Sequence, residues 1–229
     1  MIAGAAIGLA IVGGVAHGAY YRNSPIFGSV LGRLPGDARR VALTFDDGPN
    51  PDATPVILDV LAGRDVPATF FALGRHVQQW PELVSRAVSE GHAIGNHGFF
   101  HRKLHVRSPE YVRRDLELGT AAIQDACGSR PGLFRAPHGF RSPWVSSTAR
   151  SLRQRTIGWT LGVWDSARPG VDAIVDRTIR GTTPGAILLL HDGDGYDPTG
   201  DRMQTARALP RIIDTLAAQG YAFASLADA

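Results

Sequence analysis

Short apolar runs recur along most of the chain, and stretches with apolar residues three and four positions apart lie between them. A run such as Val41–Phe45 predicts a strand buried on both faces, and Pro109–Ala126 predicts an amphipathic helix. The predicted strands are Arg40–Phe45, Ala68–Leu73, Ala93–Asn96, Leu133–Arg135, Thr156–Val163, Ala186–Leu190 and Tyr221–Ser225. The predicted helices are Thr54–Ala62, Pro81–Glu90, Pro109–Ala126, Pro143–Leu152, Asp172–Arg180 and Leu209–Gln219.

This alternation of strands and helices predicts one α/β domain over residues 40–229, with parallel strands covered by helices. The pattern fits either a closed barrel or an open sheet. In both architectures, ligands bind at the carboxyl ends of the strands, so polar residues at those ends are the candidates for chemistry.

The N-terminus is a separate segment. Ile2–Ala19 is apolar apart from His17 and is long enough to cross a bilayer, and Tyr20–Arg22 suits a membrane interface. We therefore predict a membrane anchor over residues 1–22 and a linker over residues 23–39. A cleaved signal peptide and a buried Gly/Ala-rich helix are the alternatives. Arginines after the run would place the domain in the cytoplasm by the positive-inside rule, yet we expect it outside, anchored to the cell envelope, or else secreted.

Composition excludes some classes of function. The 229 residues carry a formal charge of only +3, and no basic run is interleaved with aromatic residues, which argues against nucleic-acid binding. Cys127 is the only cysteine, so an internal disulfide and a cysteine-based zinc site are both excluded. The sequence does not indicate an oligomeric state.

Two adjacent carboxylates, Asp46 and Asp47, directly follow the strand that ends at Phe45. Such a pair is unfavourable when buried unless a cation offsets the repulsion. His97 and His101 follow another strand at a spacing that puts both imidazoles on one side of a helical turn. Two histidines and one carboxylate are a common catalytic zinc set, so these residues predict a metal site with Zn²⁺ as the first guess.

Three more chemically capable residues follow predicted strands. Arg135 ends one strand, and we expect it to pair with an acid near the site, for which Asp165 is the plausible partner. His191 follows the apolar run Ala186–Leu190 and is either a capped core residue or a catalytic acid.

Taken in order, these motifs resemble the NodB-homology polysaccharide deacetylases, the family-4 carbohydrate esterases. The resemblance spans Arg40–Ser225 and rests on Thr44–Gly48, His97–His101, Arg135–His138 and Leu189–His191. It implies a distorted (β/α) barrel preceded by the N-terminal apolar helix.

The resemblance also implies residue roles. By this resemblance, Asp46 would be the base and His191 the acid, and Arg135 and Asp165 would orient the base. Asp47, His97 and His101 would be the ligands of one divalent metal ion. In the substrate pocket, Leu189 would contact the acetyl methyl group and the backbone N–H of His138 would stabilise the oxyanion.

The sequence departs from the family pattern at three places. Gly98 replaces a hydroxyl residue, His138 replaces a tyrosine, and Trp164 precedes Asp165 instead of following it, which leaves a pocket role for Trp164 open.

We therefore expect a metal-dependent hydrolase that removes N-acetyl groups from a glycan containing N-acetylglucosamine, such as peptidoglycan or a chitin-like polymer. One alternative is a deformylase or deacylase of a lipid-linked aminosugar or small amide. The other is a non-catalytic glycan-binding module, which the complete set of ligands Asp47, His97 and His101 disfavours.

Overall fold

The computed structural model describes residues 13–36 and 38–228. The strands are β1 (Arg40–Asp46), β2 (Ala68–Ala72), β3 (Ala93–Asn96), β4 (Leu133–Phe134), β5 (Arg155–Thr156), β6 (Leu161–Gly162), β7 (Ile187–His191) and β8 (Ala222–Phe223). The helices are α1 (described over residues 13–20), α2 (Ala53–Ala62), α3 (Gly74–Val77), α4 (Pro81–Ser89), α5 (Pro109–Cys127), α6 (Pro143–Ser151), α7 (Val171–Gly181) and α8 (Met203–Ala218).

These strands form an eight-stranded parallel sheet in the order β5-β4-β3-β2-β1-β7-β6, and β8 pairs with the start of β1. The sheet is curled, with helices on its outer face, which confirms the predicted α/β class and its parallel strands. The central strand β1 is flanked by β2 and β7, so residues at its carboxyl end have neighbours on both sides.

Side chains alternate strictly across β1, because successive residues of a strand point to opposite faces. Val41, Leu43 and Phe45 are fully buried in the large cluster shared with α2 and α8. Ala42 faces a second cluster on the other face of the sheet. By the same alternation, Asp46 shares the face of Ala42, inside the curled sheet. The pleat of β1 therefore aims its terminal carboxylate inward.

The predicted strand Thr156–Val163 is wrong as one element, because it is split into β5 and β6. β5 pairs with β4 and β6 pairs with β7, at opposite edges of the curled sheet. A straight strand cannot pair with both edges, so the chain bends between them at residues 157–160.

Residues 31–34 pack where the two edges of the sheet meet. Leu31 forms a parallel bridge to Ile157, next to β5, and Arg33 forms an antiparallel bridge to Ala186, just before β7. Leu34 is buried in the inner cluster. Part of the segment predicted as a linker therefore packs into the domain, because its apolar side chains bury against the sheet.

Most of the predicted apolar segment Ile2–Ala19 lies outside the described residues. Within residues 13–36 and 38–228, none of the helices has the length and apolar character needed to span a bilayer. The assignment of residues 1–22 to an anchor stays a prediction, as do the boundaries drawn at residues 23 and 40.

Candidate active site

The carboxyl ends of three strands bring the candidate residues together. Asp46 ends β1 and is the direct register partner of His191, which ends β7. His97 follows β3, the second strand along on the other side of β1. Asp46 and His97 each lie more than 80 residues from His191 in the sequence, and parallel strand pairing brings all three to one edge of the sheet.

Asp47, His97 and His101 form a buried cluster whose candidate ligand atoms all lie within 4.8 Å of one another. Oδ1 of Asp47 is 3.4 Å from Nε2 of His97 and 3.1 Å from Nε2 of His101. That oxygen is buried and has no hydrogen-bond partner. Burial raises the pKa of Asp47, but the two imidazoles lower it further, to well below its usual range. An ionised, unpartnered carboxylate oxygen facing two imidazole nitrogens fits a divalent metal ion.

Hydrogen bonds outside the cluster orient the His97 ring and hold the turn that carries both histidines. Nδ1 of His97 is 2.8 Å from the carbonyl oxygen of Arg135, so it donates there and leaves Nε2 for a ligand role. The carboxylate of Asp115 on α5 accepts the backbone N–H groups of Phe99 and Phe100 and so holds the turn between the two histidines. Gly98 has a positive φ of 80° in this turn.

Arg135 is fully buried and pairs with Asp46 rather than with Asp165. Its Nη1 donates to Oδ1 of Asp46 at 2.7 Å and to Oγ1 of Thr44 at 2.8 Å. Thr44 and Asp46 are two positions apart and share the inner face of β1, which lets one guanidinium reach both. The predicted partner of Arg135 is therefore wrong.

The partner of Asp165 is His191. Oδ1 of Asp165 is 2.9 Å from Nδ1 of His191, and Oδ2 accepts the backbone N–H of His191 and the hydroxyl of Thr205. Burial lowers the pKa of His191, but the Asp165 carboxylate, with smaller contributions from Asp47 and Asp46, outweighs burial and raises that pKa to about 9. The arrangement of this pair therefore favours a protonated imidazole beside a buried carboxylate.

Four residues around the site have left-handed backbone conformations, which are rare for residues other than glycine. They are Asp47 (φ 75°), His101 (φ 55°), His138 (φ 60°) and Trp164 (φ 59°). Such strain concentrates at functional sites. With this backbone at Asp47, the adjacent Asp46 and Asp47 carboxylates both reach Nε2 of His97, at 3.7 and 3.4 Å.

A cavity of about 720 Å³ opens over these residues. Asp46, Asp47 and His191 contribute to its lining, and Arg135 and Asp165 lie buried behind them. The predicted pocket residues His138, Leu189 and Trp164 all line it as well. Trp164 is 75% exposed at the cavity, and its backbone lies in the left-handed region.

Several residues of the site have no counterpart in the motifs read from the sequence. They are Asp115, Thr205 and the cavity-lining residues Tyr20 and Arg22, while Thr44 lies within the first motif but had no role assigned to it. A signal existed only for Asp115, a carboxylate on the same helix face as the buried Val112 and Leu116.

Comparison with known proteins gives consistent matches. A family model described as polysaccharide deacetylase matches residues 33–157. A chitooligosaccharide deacetylase of Rhizobium leguminosarum bv. trifolii is 42% identical over 83% of this chain and 91% of the relative. A peptidoglycan-N-acetylglucosamine deacetylase of Bacillus cereus is 37% identical over 88% of this chain and 92% of the relative. Among solved structures, a CE4 family pseudoenzyme from Bacillus anthracis superposes with a TM-score of 0.79 at 28% identity, covering 90% of this chain and 69% of that one.

Proposed function

The chain belongs to the polysaccharide deacetylase family, and we propose that it hydrolyses N-acetyl groups of a glycan that contains N-acetylglucosamine. The fold alone does not decide activity, since a pseudoenzyme shares it. The observation that carries the proposal is one cavity with three buried groups: the Asp47–His97–His101 cluster, the Asp46–Arg135 pair and the Asp165–His191 pair.

Asp47, His97 and His101 would hold one divalent metal ion. Zn²⁺ is the proposed ion, because two imidazoles and one carboxylate are a donor set of catalytic zinc sites. When bound, such an ion polarises a carbonyl group and lowers the pKa of a coordinated water to about 7.

Asp46 is the proposed base. Arg135 holds it at 2.7 Å through Oδ1, while its Oδ2 lies 3.7 Å from Nε2 of His97 on the metal side. A carboxylate that a buried guanidinium holds through one oxygen keeps its other oxygen available to accept a proton. In the reaction, that proton comes from the water that attacks the acetamide carbon.

His191 is the proposed acid. The Asp165 carboxylate keeps its imidazole protonated at neutral pH, so it can give its proton to the amide nitrogen as the C–N bond breaks. The products are acetate and the free amine of the sugar. The backbone N–H of His138 is the proposed donor to the oxygen that becomes negatively charged in the tetrahedral intermediate.

The proposed substrate is peptidoglycan or a chitin-like oligosaccharide, since the relatives named above are deacetylases of these two glycans. Action outside the cytoplasm, at the cell envelope, follows from such substrates. Leu189 and Trp164 are proposed to contact the acetyl group and the sugar, respectively, because both line the cavity.

The test measures acetate release from N-acetylated glycans after chelation and again after Zn²⁺ is added back. We expect loss and recovery of activity in the wild type. The Asp46→Asn variant should retain zinc, measured by elemental analysis, and lose at least about a hundredfold in kcat. Asp59→Asn changes an exposed carboxylate on α2 and is the matched control. Full activity in the zinc-loaded Asp46→Asn variant would contradict the assignment of the base.

A further inference from the structure

The cavity has one wall made of aromatic rings in contact with one another, formed by His138, Phe140 and Tyr20, which we call the aromatic wall. The ring of His138 lies 4.5 Å from that of His101 and 5.9 Å from that of Phe140. The ring of Phe140 in turn lies 5.3 Å from that of Tyr20. The aromatic wall therefore runs without a gap from the histidine cluster to the N-terminal segment.

Tyr20 is held firmly at the outer end of this wall. The N–H of Arg141 donates to the carbonyl oxygen of Ala19 at 3.0 Å, next to Tyr20. On the other side, Arg22 donates through Nε to the carbonyl oxygen of Trp159 at 3.0 Å, and its guanidinium lies over the Trp159 ring at 5.2 Å. A residue between two such attachments has a fixed backbone.

The side chain of Tyr20 is nevertheless 60% exposed. Its ring contacts those of His105 and Phe140 at 5.3 Å each, with interplanar angles of 74° and 76°, and it lines the cavity. An exposed aromatic ring on a fixed backbone at a cavity is a platform for a flat apolar surface, and the C–H face of a pyranose ring is such a surface.

We propose that Tyr20 is the outer stacking residue of a second sugar subsite, which binds a neighbouring pyranose ring of the glycan. This inference rests on the proposed function, because it assumes that a sugar occupies the catalytic cavity. The subsite makes the enzyme favour oligosaccharides over short substrates. It also assigns part of substrate recognition to a residue of the segment predicted to lie at a membrane interface.

The test compares Tyr20→Ala with Tyr21→Ala in the chain of residues 1–229. Tyr21 is the matched control, because it is the adjacent tyrosine, is 50% exposed, and packs against His17 away from the cavity. Acetate release is measured with N-acetylglucosamine oligomers from the disaccharide to the pentasaccharide. The quantity compared is kcat/KM for the pentasaccharide divided by kcat/KM for the disaccharide.

We expect this ratio to fall by about two- to tenfold in Tyr20→Ala, mainly through KM, and to stay at the wild-type value in Tyr21→Ala. Tyr20→Phe keeps the ring and should lose less than Tyr20→Ala, whereas Tyr20→Leu keeps apolar bulk without an aromatic face and should lose as much. The Phe and Leu variants decide the matter if Tyr20→Ala does not fold.

An unchanged ratio in the Tyr20 variants of an active enzyme overturns the subsite, and so does an equal fall in Tyr21→Ala. If the zinc-loaded wild type releases no acetate from any oligomer or from peptidoglycan, the proposed function fails and the subsite fails with it. The wild-type measurement therefore distinguishes failure of the proposed function from failure of the subsite alone.

Discussion

Replacing Asp165 by Asn should move the alkaline limb of the pH profile. The carboxylates around His191, chiefly Asp165, raise its pKa from 6.5 to about 9 despite burial. At about 1.4 kcal/mol for each pKa unit, that rise is worth about 3.5 kcal/mol of preference for the protonated imidazole. Asn keeps the size of the side chain and removes its charge, so burial should outweigh the smaller effects of Asp47 and Asp46 and bring the His191 pKa back to about 6.5.

The assay is acetate release from an N-acetylglucosamine oligomer with the zinc-loaded enzyme between pH 5 and pH 10. Because the acid must be protonated, wild-type kcat/KM should fall as the pH rises through about 9. In Asp165→Asn the fall should begin near or below pH 6.5, which amounts to about a thirtyfold loss at pH 8 and a much smaller loss at pH 5. A purely structural defect would lower the rate at every pH.

Thr205→Val is the control, since it removes the hydroxyl that donates to Asp165 but keeps the charge. Its alkaline limb should stay near pH 9. An NMR titration of the His191 imidazole gives a readout that does not depend on turnover. If the limb stays near pH 9 in Asp165→Asn, His191 is not the protonated acid held by Asp165.

The same pair links stability to pH. The folded-state pKa of His191 lies above its unfolded value, so the stabilisation is complete below pH 6.5 and is lost as the pH rises through about 9. The stability deficit of Asp165→Asn in urea unfolding should therefore be larger at pH 6 than at pH 10. A deficit that is the same at both values would contradict the linkage.

Two further substitutions test the supports of the site. Arg135→Leu leaves Asp46 buried without its cation and should cost about 3–5 kcal/mol in the free energy of unfolding, measured with urea. Arg64→Leu, in an exposed ion pair, should change the urea midpoint little, and a small effect of both would contradict the role of the buried pair. Gly195→Ala places a methyl group against the His101 ring and should weaken Zn²⁺ affinity about 10–100-fold in a competition titration, with the fold retained. Wild-type zinc affinity in that variant would show that the ring is free to move.

The sequence determined the parts of the site that depend on local pattern. The apolar run from Val41 ends at the carboxylates, and the carboxyl ends of parallel strands are where ligands bind in α/β folds. The four-residue spacing of His97 and His101 puts both rings on one side of a turn. Alternation of strands and helices then predicts that these strand ends meet, and they do.

Only the tertiary structure decided which groups pair across that edge. Asp165 had two possible partners, and the chain pattern could not choose between them because Arg135 directly follows β4 and His191 ends β7. The choice depends on strand order: β1 lies beside β7, and the chain crosses from β5 to β6 before Asp165.

The position of Tyr20 at the cavity could not be predicted from the sequence either. Its apolar and aromatic surroundings are typical of a membrane interface, whereas its ring packs against Phe140, 120 residues later in the chain. Contacts between residues so far apart in sequence depend on how the sheet curls and on which segments pack against its edges. These are properties of tertiary packing that no local pattern of residues encodes.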